Sequence, residues 1–432
     1  MRKTTIIASA IALALGISAC SEQKTLEQLL ASANEYSLNR DFSSAVVELK
    51  NAVRLSPKSA EARLALGHAY LEQGNYIFAE KELEKSLVLG IDFSNAAPLL
   101  AQTKAKLAKY DELQQLVEKS TNLNDNDYIK VLIYAGVSAL AHNEREKAQD
   151  YIGQAISISE NAAYSQLGKA YLAQSEEGYT QGLADIETVL VENPNFSEAI
   201  LLKGHLQFYL KEYEQAAISF AQYIASHPLE YSINYFEINS LIKAKHFEEA
   251  EVITNKLLKI FSSSPLALHY KAQLQYQKKN FKEAKNTAEQ AIQAGSKLPL
   301  TKLIAGTCAY QLKDYEQAYN HLKSIEALLS SNHPAQKIIA LAKLQLGYSL
   351  AAVDSILSLD GLTNEDTGFL QASATSLAEL GDFDNAQKLI EKANGIDPNN
   401  ANILTQSGLV SISQNNADDA ISDMSVARQW IR

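Results

Sequence analysis

Residues 42–57, Phe42-Ser43-Ser44-Ala45-Val46-Val47-Glu48-Leu49-Lys50-Asn51-Ala52-Val53-Arg54-Leu55-Ser56-Pro57, set the register for the whole chain. An aromatic stands three residues before Ala45, with Leu49 four after it, Ala52 seven after and Pro57 twelve after. Those offsets put one apolar stripe on a helix that starts near Phe42 and stops before Pro57. Thirty-four residues on, Ala79 has Tyr76 before it and Leu83 and Ser86 after it. The series runs on through Leu113, Ala148, Gly182, Ala216, Ala250, Ala284, Ala318, Ala352, Ala386 and Ala420. Every step is 34 or 35 residues, and ten of the twelve positions are alanine. Self-similarity at a fixed period of this length marks a stack of helical units rather than one globular core.

Three residues before the alanine position an aromatic recurs: Phe42, Tyr76, Tyr110, Tyr179, Tyr213, Phe247, Phe281, Tyr315 and Phe383. Twelve residues before it the chain favours a small residue, at Ala33, Gly67, Gly136, Gly204, Ala272, Gly306, Ala374 and Gly408. Each unit therefore reads as two antiparallel helices, neither able to bury its apolar stripe alone. The small residue and the alanine are expected where the two helices come closest, because a larger side chain there would force the backbones apart. The aromatics are expected to fill the wider gaps between successive pairs.

This pattern resembles the tetratricopeptide repeat (TPR) consensus, and the resemblance covers Thr25 to Ile431. It implies an all-α chain, a right-handed superhelical TPR solenoid of about twelve helix-turn-helix repeats. Turn chemistry agrees: Gly74-Asn75, Lys279-Asn280, Lys313-Asp314 and Gly381-Asp382 fall between the two helices of a unit. The eight prolines fall at seams or near unit starts, with no helix interior expected to carry one. Three departures stand out. The third unit has Leu113 for alanine and Lys104 where an aromatic is usual. The fifth is expected to carry about two extra residues in its turn, around Gly178-Tyr179-Thr180. The tenth matches loosely and runs into a looser connection from Leu359 to Thr367.

At the N-terminus, Arg2 and Lys3 precede an apolar run from Ile6 to Ile17, too short for a membrane-spanning helix. It ends in Ile17-Ser18-Ala19-Cys20, which resembles the bacterial lipobox. The resemblance implies cleavage before Cys20 and lipidation of its thiol, with an ordinary secretory signal cut near Ala19 as the alternative. The expected organisation is a signal peptide at 1–19, a lipidated start and short tether at 20–24, and the solenoid at 25–432. Ser21, in place of the aspartate that retains lipoproteins at the inner membrane, points to the outer membrane of a Gram-negative envelope. With Cys20 acylated, only Cys308 is left, so neither a disulfide nor a cysteine metal cluster can form within the chain. Cys308 lies in an apolar helical stretch and reads as packing.

A net charge of −11 without a basic block disfavours nucleic acid, and no nucleic-acid partner is expected. The eight histidines are scattered among units, none paired at metal-ligand spacing. No nucleophile elbow, phosphate loop or dinucleotide fingerprint occurs. Acidic pairs such as Glu248-Glu249 and Asp418-Asp419 read as solvated helix faces. The expectation is a non-enzyme with no metal and no cofactor.

Function then belongs to the surface. In TPR proteins defined positions of each first helix line a concave groove. Carried onto this chain, the rule selects His205, Phe208 and Tyr209 in the sixth unit and Tyr235, Asn239 and Lys243 in the seventh. It selects His269, Gln273, Tyr276 and Gln277 in the eighth and Tyr310 and Gln311 in the ninth. Aromatics mixed with amides suit an extended ligand, peptide or polysaccharide; the alternative is that these side chains only pack between neighbouring helices. The lysine and asparagine clamp of chaperone-binding TPRs is not visible in this pattern.

The stretch Glu48-Leu49-Lys50-Asn51-Ala52 … Ala62-Arg63-Leu64-Ala65-Leu66-Gly67 … Ala79-Glu80-Lys81-Glu82-Leu83, after a lipobox, resembles a narrower group. These are the TPR lipoproteins of the PEP-CTERM/exosortase system of exopolysaccharide-producing Gram-negative bacteria. Its members tend to be longer, and no extra polar capping helix follows Trp430-Ile431-Arg432, so a short member or a truncated gene is expected. The implied role is a lipid-anchored periplasmic scaffold for envelope proteins or extended peptide segments in export or assembly. The alternatives are a polysaccharide-binding module in exopolysaccharide secretion and an outer-membrane protein assembly factor.

Overall fold

A computed structural model describes residues 24–430, which form 24 α-helices and two short 3-10 turns, with no strand among the described residues. Contacts divide the chain into two compact units, one ending at Ala244 and one beginning at Lys245. In the first, α1 (Leu26–Leu38) pairs with α2 (Phe42–Leu55), α3 (Ala60–Glu72) with α4 (Tyr76–Val88), and α5 (Phe93–Lys106) with α6 (Tyr110–Lys119). Then follow α7 (Asp125–Ala141) with α8 (Arg145–Ile158), α9 (Ala163–Ser175) with α10 (Tyr179–Glu192), α11 (Ser197–Tyr209) with α12 (Tyr213–Ser226), and α13 (Tyr231–Lys243). The second unit opens with α14 (Phe247–Ile260). It continues with α15 (Pro265–Gln277) and α16 (Phe281–Gln293), α17 (Pro299–Gln311) and α18 (Tyr315–Lys323), and α19 (Pro334–Gln345) and α20 (Ser349–Leu357). It ends with α21 (Thr367–Glu379) and α22 (Phe383–Ile396), and α23 (Ala401–Ser413) and α24 (Ala417–Trp430). No described helix is long and apolar enough to cross a membrane.

The 34-residue register is written into the backbone as well as the side chains. Each turn inside a repeat has three residues, and the middle one is left-handed. These are Arg40, Gly74, Ala108, Asn143, Glu177 and Lys211 in the first unit, and Lys279, Lys313, Gly347, Gly381 and Asn415 in the second, with φ from 55° to 80°. The left-handed residue lets the chain close the helix end: the Gly74 N–H donates to the Leu71 carbonyl at 2.9 Å, and the Asn75 N–H to the Tyr70 carbonyl at 2.8 Å. Each first helix thus ends on bonded carbonyls before its partner starts.

The small residue of the first helix faces the large residue sixteen positions later, four after the alanine. A β-carbon added to Gly67 would lie 2.7 Å from Leu83 Cγ, to Gly136 2.6 Å from Ile152 Cγ1, and to Gly204 2.8 Å from Phe220 Cε1. Gly306 with Leu322 and Gly408 with Met424 repeat the relationship in the second unit. Alanines 45, 79, 148, 216, 284, 318, 352 and 386 are fully buried, as is Leu113 in the third repeat. The first unit's main core runs from Leu83 to Leu206 across its central repeats, and a second-unit core gathers Ala340, Val353, Leu370, Leu389 and Ile403.

Two expectations are corrected. The turn of the fifth repeat is the same three residues as the others, Glu176 to Gly178, with Glu177 left-handed. The one departure in register falls earlier, where α6 has only 10 residues and α7 has 17. Pro265, Pro299 and Pro334 each open a helix, where the missing N–H costs nothing, but Pro98 lies inside α5. The loose tenth repeat is real: α20 has 9 residues, and a 3-10 turn at Asn364–Asp366, capped by Thr363, bridges to α21.

Candidate functional site

The selected residues of the first unit meet in pairs rather than as one row. His205 on α11 is wedged between Phe220 of α12 and Phe236 of α13, ring centroids 5.1 and 4.7 Å apart. Burial pushes its pKa down to about 4. Phe208 packs on Tyr213, the aromatic that opens the next helix, at 5.3 Å. Tyr209 is 54% exposed and stacks flat on Tyr179 at 4.8 Å with 7° between the rings. Tyr235 and Asn239 are half-buried on α13, and Lys243 is exposed at its end.

In the second unit His269 does not face a groove. It is 4% exposed, its Nδ1 lies 2.9 Å from Thr301 Oγ1 of α17, and burial lowers its pKa to about 4. It joins two first helices. Gln273, Tyr276 and Gln277 do come together, along one wall of a cavity of about 210 Å³. The rest of its lining includes Leu300, Leu303 and Ile304 of α17 and His333, Pro334 and Ile338 at the start of α19. Tyr276 also packs on Phe281, and Tyr310 on Tyr315, at 6.0 and 5.7 Å. With Phe208 on Tyr213, these make a recurring corner that ties the end of a first helix to the start of its partner. Gln311 is exposed beyond that corner.

Sequence reasoning missed the interior of the first unit. Its repeats turn far enough for the connection after α12 to reach back to the connection between α3 and α4. The Tyr76 hydroxyl donates to Glu230 Oε1, Tyr223 donates to Glu230 Oε2 at 2.9 Å, and Lys106 lies 3.6 Å from Glu230 Oε1. His227 meets Glu72 at 3.9 Å. Burial, and then the Glu230 charge, raise the pKa of Tyr76 and Tyr223. Burial works against the Glu72 carboxylate, but the hydrogen bond and charge of His68, with the charges of His227 and Arg40, hold its pKa below the usual value. Within this ring of contacts lies a chamber of about 230 Å³.

Lys104, odd in the sequence, is explained by charge. Its side chain is 8% exposed, and its ammonium holds Glu80 at 2.9 Å, Glu84 at 3.2 Å and Glu112 at 2.6 Å, while Lys109 reaches Glu80 and Glu112 from outside. Those three glutamates approach one another closely enough to suggest a metal site, but the lysine already fills the centre. Burial also pushes the Cys308 thiol up to about 12, which keeps it in the unreactive thiol form. Cys20, with the rest of the segment before residue 24, lies outside the described residues.

Three family models match. A TPR repeat model covers residues 34–74, a tetratricopeptide repeat model covers residues 369–400, and the model of anaphase-promoting complex, cyclosome, subunit 3 covers residues 243–325. The Hsp70-Hsp90 organizing protein of Triticum aestivum is 25% identical over 213 residues, 41% of this chain and 37% of that protein. The chain thus spans little more than a third of that relative's length. Among solved structures, yeast Tom70 is similar at 15% identity over 97% of this chain and 93% of that one, TM-score 0.37. Pseudomonas aeruginosa pilF matches at 16% identity over 47% of this chain and 93% of that one, TM-score 0.41. Repeat-model matches near both ends of the described chain, joined by helix pairs in one register, establish tetratricopeptide repeats, a scaffold for protein–protein interaction.

Proposed function

We propose that this tetratricopeptide-repeat chain is a lipid-anchored scaffold facing the periplasm that gathers protein partners of an envelope export or assembly pathway. The anchor reading rests on Ile17-Ser18-Ala19-Cys20 standing in register after the apolar run, and Ser21 favours the outer membrane. The stretches around Glu48 to Ala52 and Ala62 to Gly67 favour the PEP-CTERM/exosortase lipoproteins within the wider repeat class. The observation that carries the partner reading is the cavity beside Gln273, Tyr276 and Gln277. Its amides, together with Leu303 and Ile338 in the same lining, suit an extended peptide, whose backbone needs hydrogen bonds and whose side chains need apolar contact. A relative named for organizing two chaperones points the same way.

A polysaccharide cargo is the second reading, favoured by the exposed Tyr209 ring stacked flat on Tyr179, a surface on which a sugar ring can lie. Two measurements decide. Cys20→Ser is expected to move the protein from the membrane fraction to the soluble one; unchanged fractionation removes the anchor. A defined envelope protein that crosslinks to the native chain is expected to be lost on Gln273→Ala and Tyr276→Ala. Glycan binding that requires Tyr209, with no crosslinked protein lost on those substitutions, overturns the scaffold in favour of the sugar.

A further inference from the structure

Acidic side chains outnumber basic ones around the chamber inside the first unit. Three carboxylates face it, Glu72, Glu198 and Glu230, against one ammonium, Lys106, and the His227 imidazole. Glu230 is matched on both oxygens, by Tyr76 and Lys106 on one and Tyr223 on the other. Glu198 is not. Gln102 at 3.3 Å, Tyr134 at 2.7 Å and Tyr164 at 3.3 Å all donate to its Oε1. Its Oε2 has no partner, and no cation pairs with it, among the described residues. Glu198 is half-buried, and that oxygen is the one open to an incoming cation.

The walls point to the same occupant. Tyr76, Tyr134, Tyr171 and Tyr223 line the chamber with Leu71, Ile133, Leu167 and Leu201. Tyrosine faces attract cations, and the leucine and isoleucine walls suit a hydrocarbon stem. The Tyr171 hydroxyl has no hydrogen-bond partner among the described residues, and burial, followed by the Glu198 charge, raises its pKa. Space fits too. A protein cavity of about 150 Å³ holds benzene, so 230 Å³ takes a group of about nine heavy atoms. That leaves room for an arginine or lysine side chain or a short organic amine.

We propose that the first unit binds an alkylammonium or guanidinium group in this chamber, with its charge on Glu198 and its stem among the apolar walls. The source is either a free amine or a basic side chain of a partner. The site stands apart from the groove residues of the proposed scaffold and does not depend on the membrane anchor.

Calorimetric titration of the full chain with n-butylammonium and agmatine tests it, with n-butanol and butyrate as neutral and anionic controls. Both cations are expected to bind saturably at one site, and the controls not to bind. Glu198→Gln keeps the shape and removes the charge, so it should weaken cation binding roughly tenfold or more. Lys106→Met removes the resident cation and should tighten binding. That second variant keeps the proposal testable if the first fails to fold. Lysine- and arginine-containing tripeptides with blocked termini then distinguish the sources: peptides binding more tightly than free amines assign a partner side chain, and the reverse order assigns a free amine. Butanol binding as well as butylammonium, no saturable binding of either cation, or affinities unchanged in the folded variants overturns it.

Discussion

The hydroxyl of Tyr76 donates to Glu230 across 154 positions of sequence. Tyr76 opens the second helix of the second repeat, and Glu230 immediately precedes the first helix of the seventh, so this bond closes the first unit's repeats onto themselves. Glu230 is only 8% exposed and also serves Tyr223 and Lys106. Glu230→Ala leaves two hydroxyls and an ammonium without their shared acceptor and is expected to cost about 3 kcal/mol, with Tyr76→Phe costing about half of that. Denaturant melts measure the cost. Hydrogen exchange should also quicken at the amides of residues 230 and 233. A Glu230→Ala protein with native melting and native exchange would show that the first unit does not depend on this closure.

Lys104 supplies a second prediction. Lys104 and Glu80 are the buried members of this cluster while Glu84 and Glu112 are half exposed to water, so Lys104→Met is expected to destabilise by about 1–2 kcal/mol. Glu80→Gln and Glu112→Gln lessen the repulsion that remains. The triple variant should therefore melt above Lys104→Met alone, although it lacks more of the native cluster. Strictly additive losses in a melting series would remove the cluster from the account.

The helix pairs were legible because their decisive contacts are short-range: Gly67 on Leu83 and Gly204 on Phe220 are each sixteen residues apart inside one pair, so the pattern repeats in the chain. The closure of the first unit was not. It depends on rotation accumulated over several repeats, and Glu230, two residues after Pro228, reads as an ordinary seam residue. Register alone also chose His269 for a groove, because helical position specifies a direction and not what the next repeat brings there; Thr301 of α17 takes its ring. Lys104 read as a weak repeat position until its three carboxylates, contributed by α4 and α6, were placed around it.

The repeat geometry predicts opposite effects at two neighbouring kinds of position. Ala216 is fully buried, so Ala216→Leu should overpack the pair α11–α12 and destabilise by about 1–3 kcal/mol. Ala108 is exposed and left-handed at φ 55°, a backbone region where a β-carbon is strained. Ala108→Gly relieves that strain, at some cost in unfolded-chain entropy, and is expected to stabilise by roughly 0.5–1 kcal/mol. Thermal melts of the two variants should move in opposite directions. A shared direction would mean that the left-handed turn is not held in solution.

Acid sensitivity follows from two histidines whose rings are packed away from water, His205 and His269. His205 and His269 both have pKa values lowered to about 4, while a histidine in the unfolded chain titrates near 6.5. Between those values the unfolded state binds more protons, so stability rises with pH through that window. The contribution is fully present at pH 7, begins to fall as pH drops through about 6.5, and is lost as pH approaches 4. By pH 5 each ring should account for roughly 2 kcal/mol of lost stability. His205→Phe fits the gap between Phe220 and Phe236, and His269→Gln keeps a polar group for Thr301, so both can retain the packing without the titration. Melting temperatures measured from pH 7.5 to 5 should fall less steeply in each variant than in the native chain, and least in the double variant. An unchanged slope in the double variant would place the acid sensitivity elsewhere in the chain.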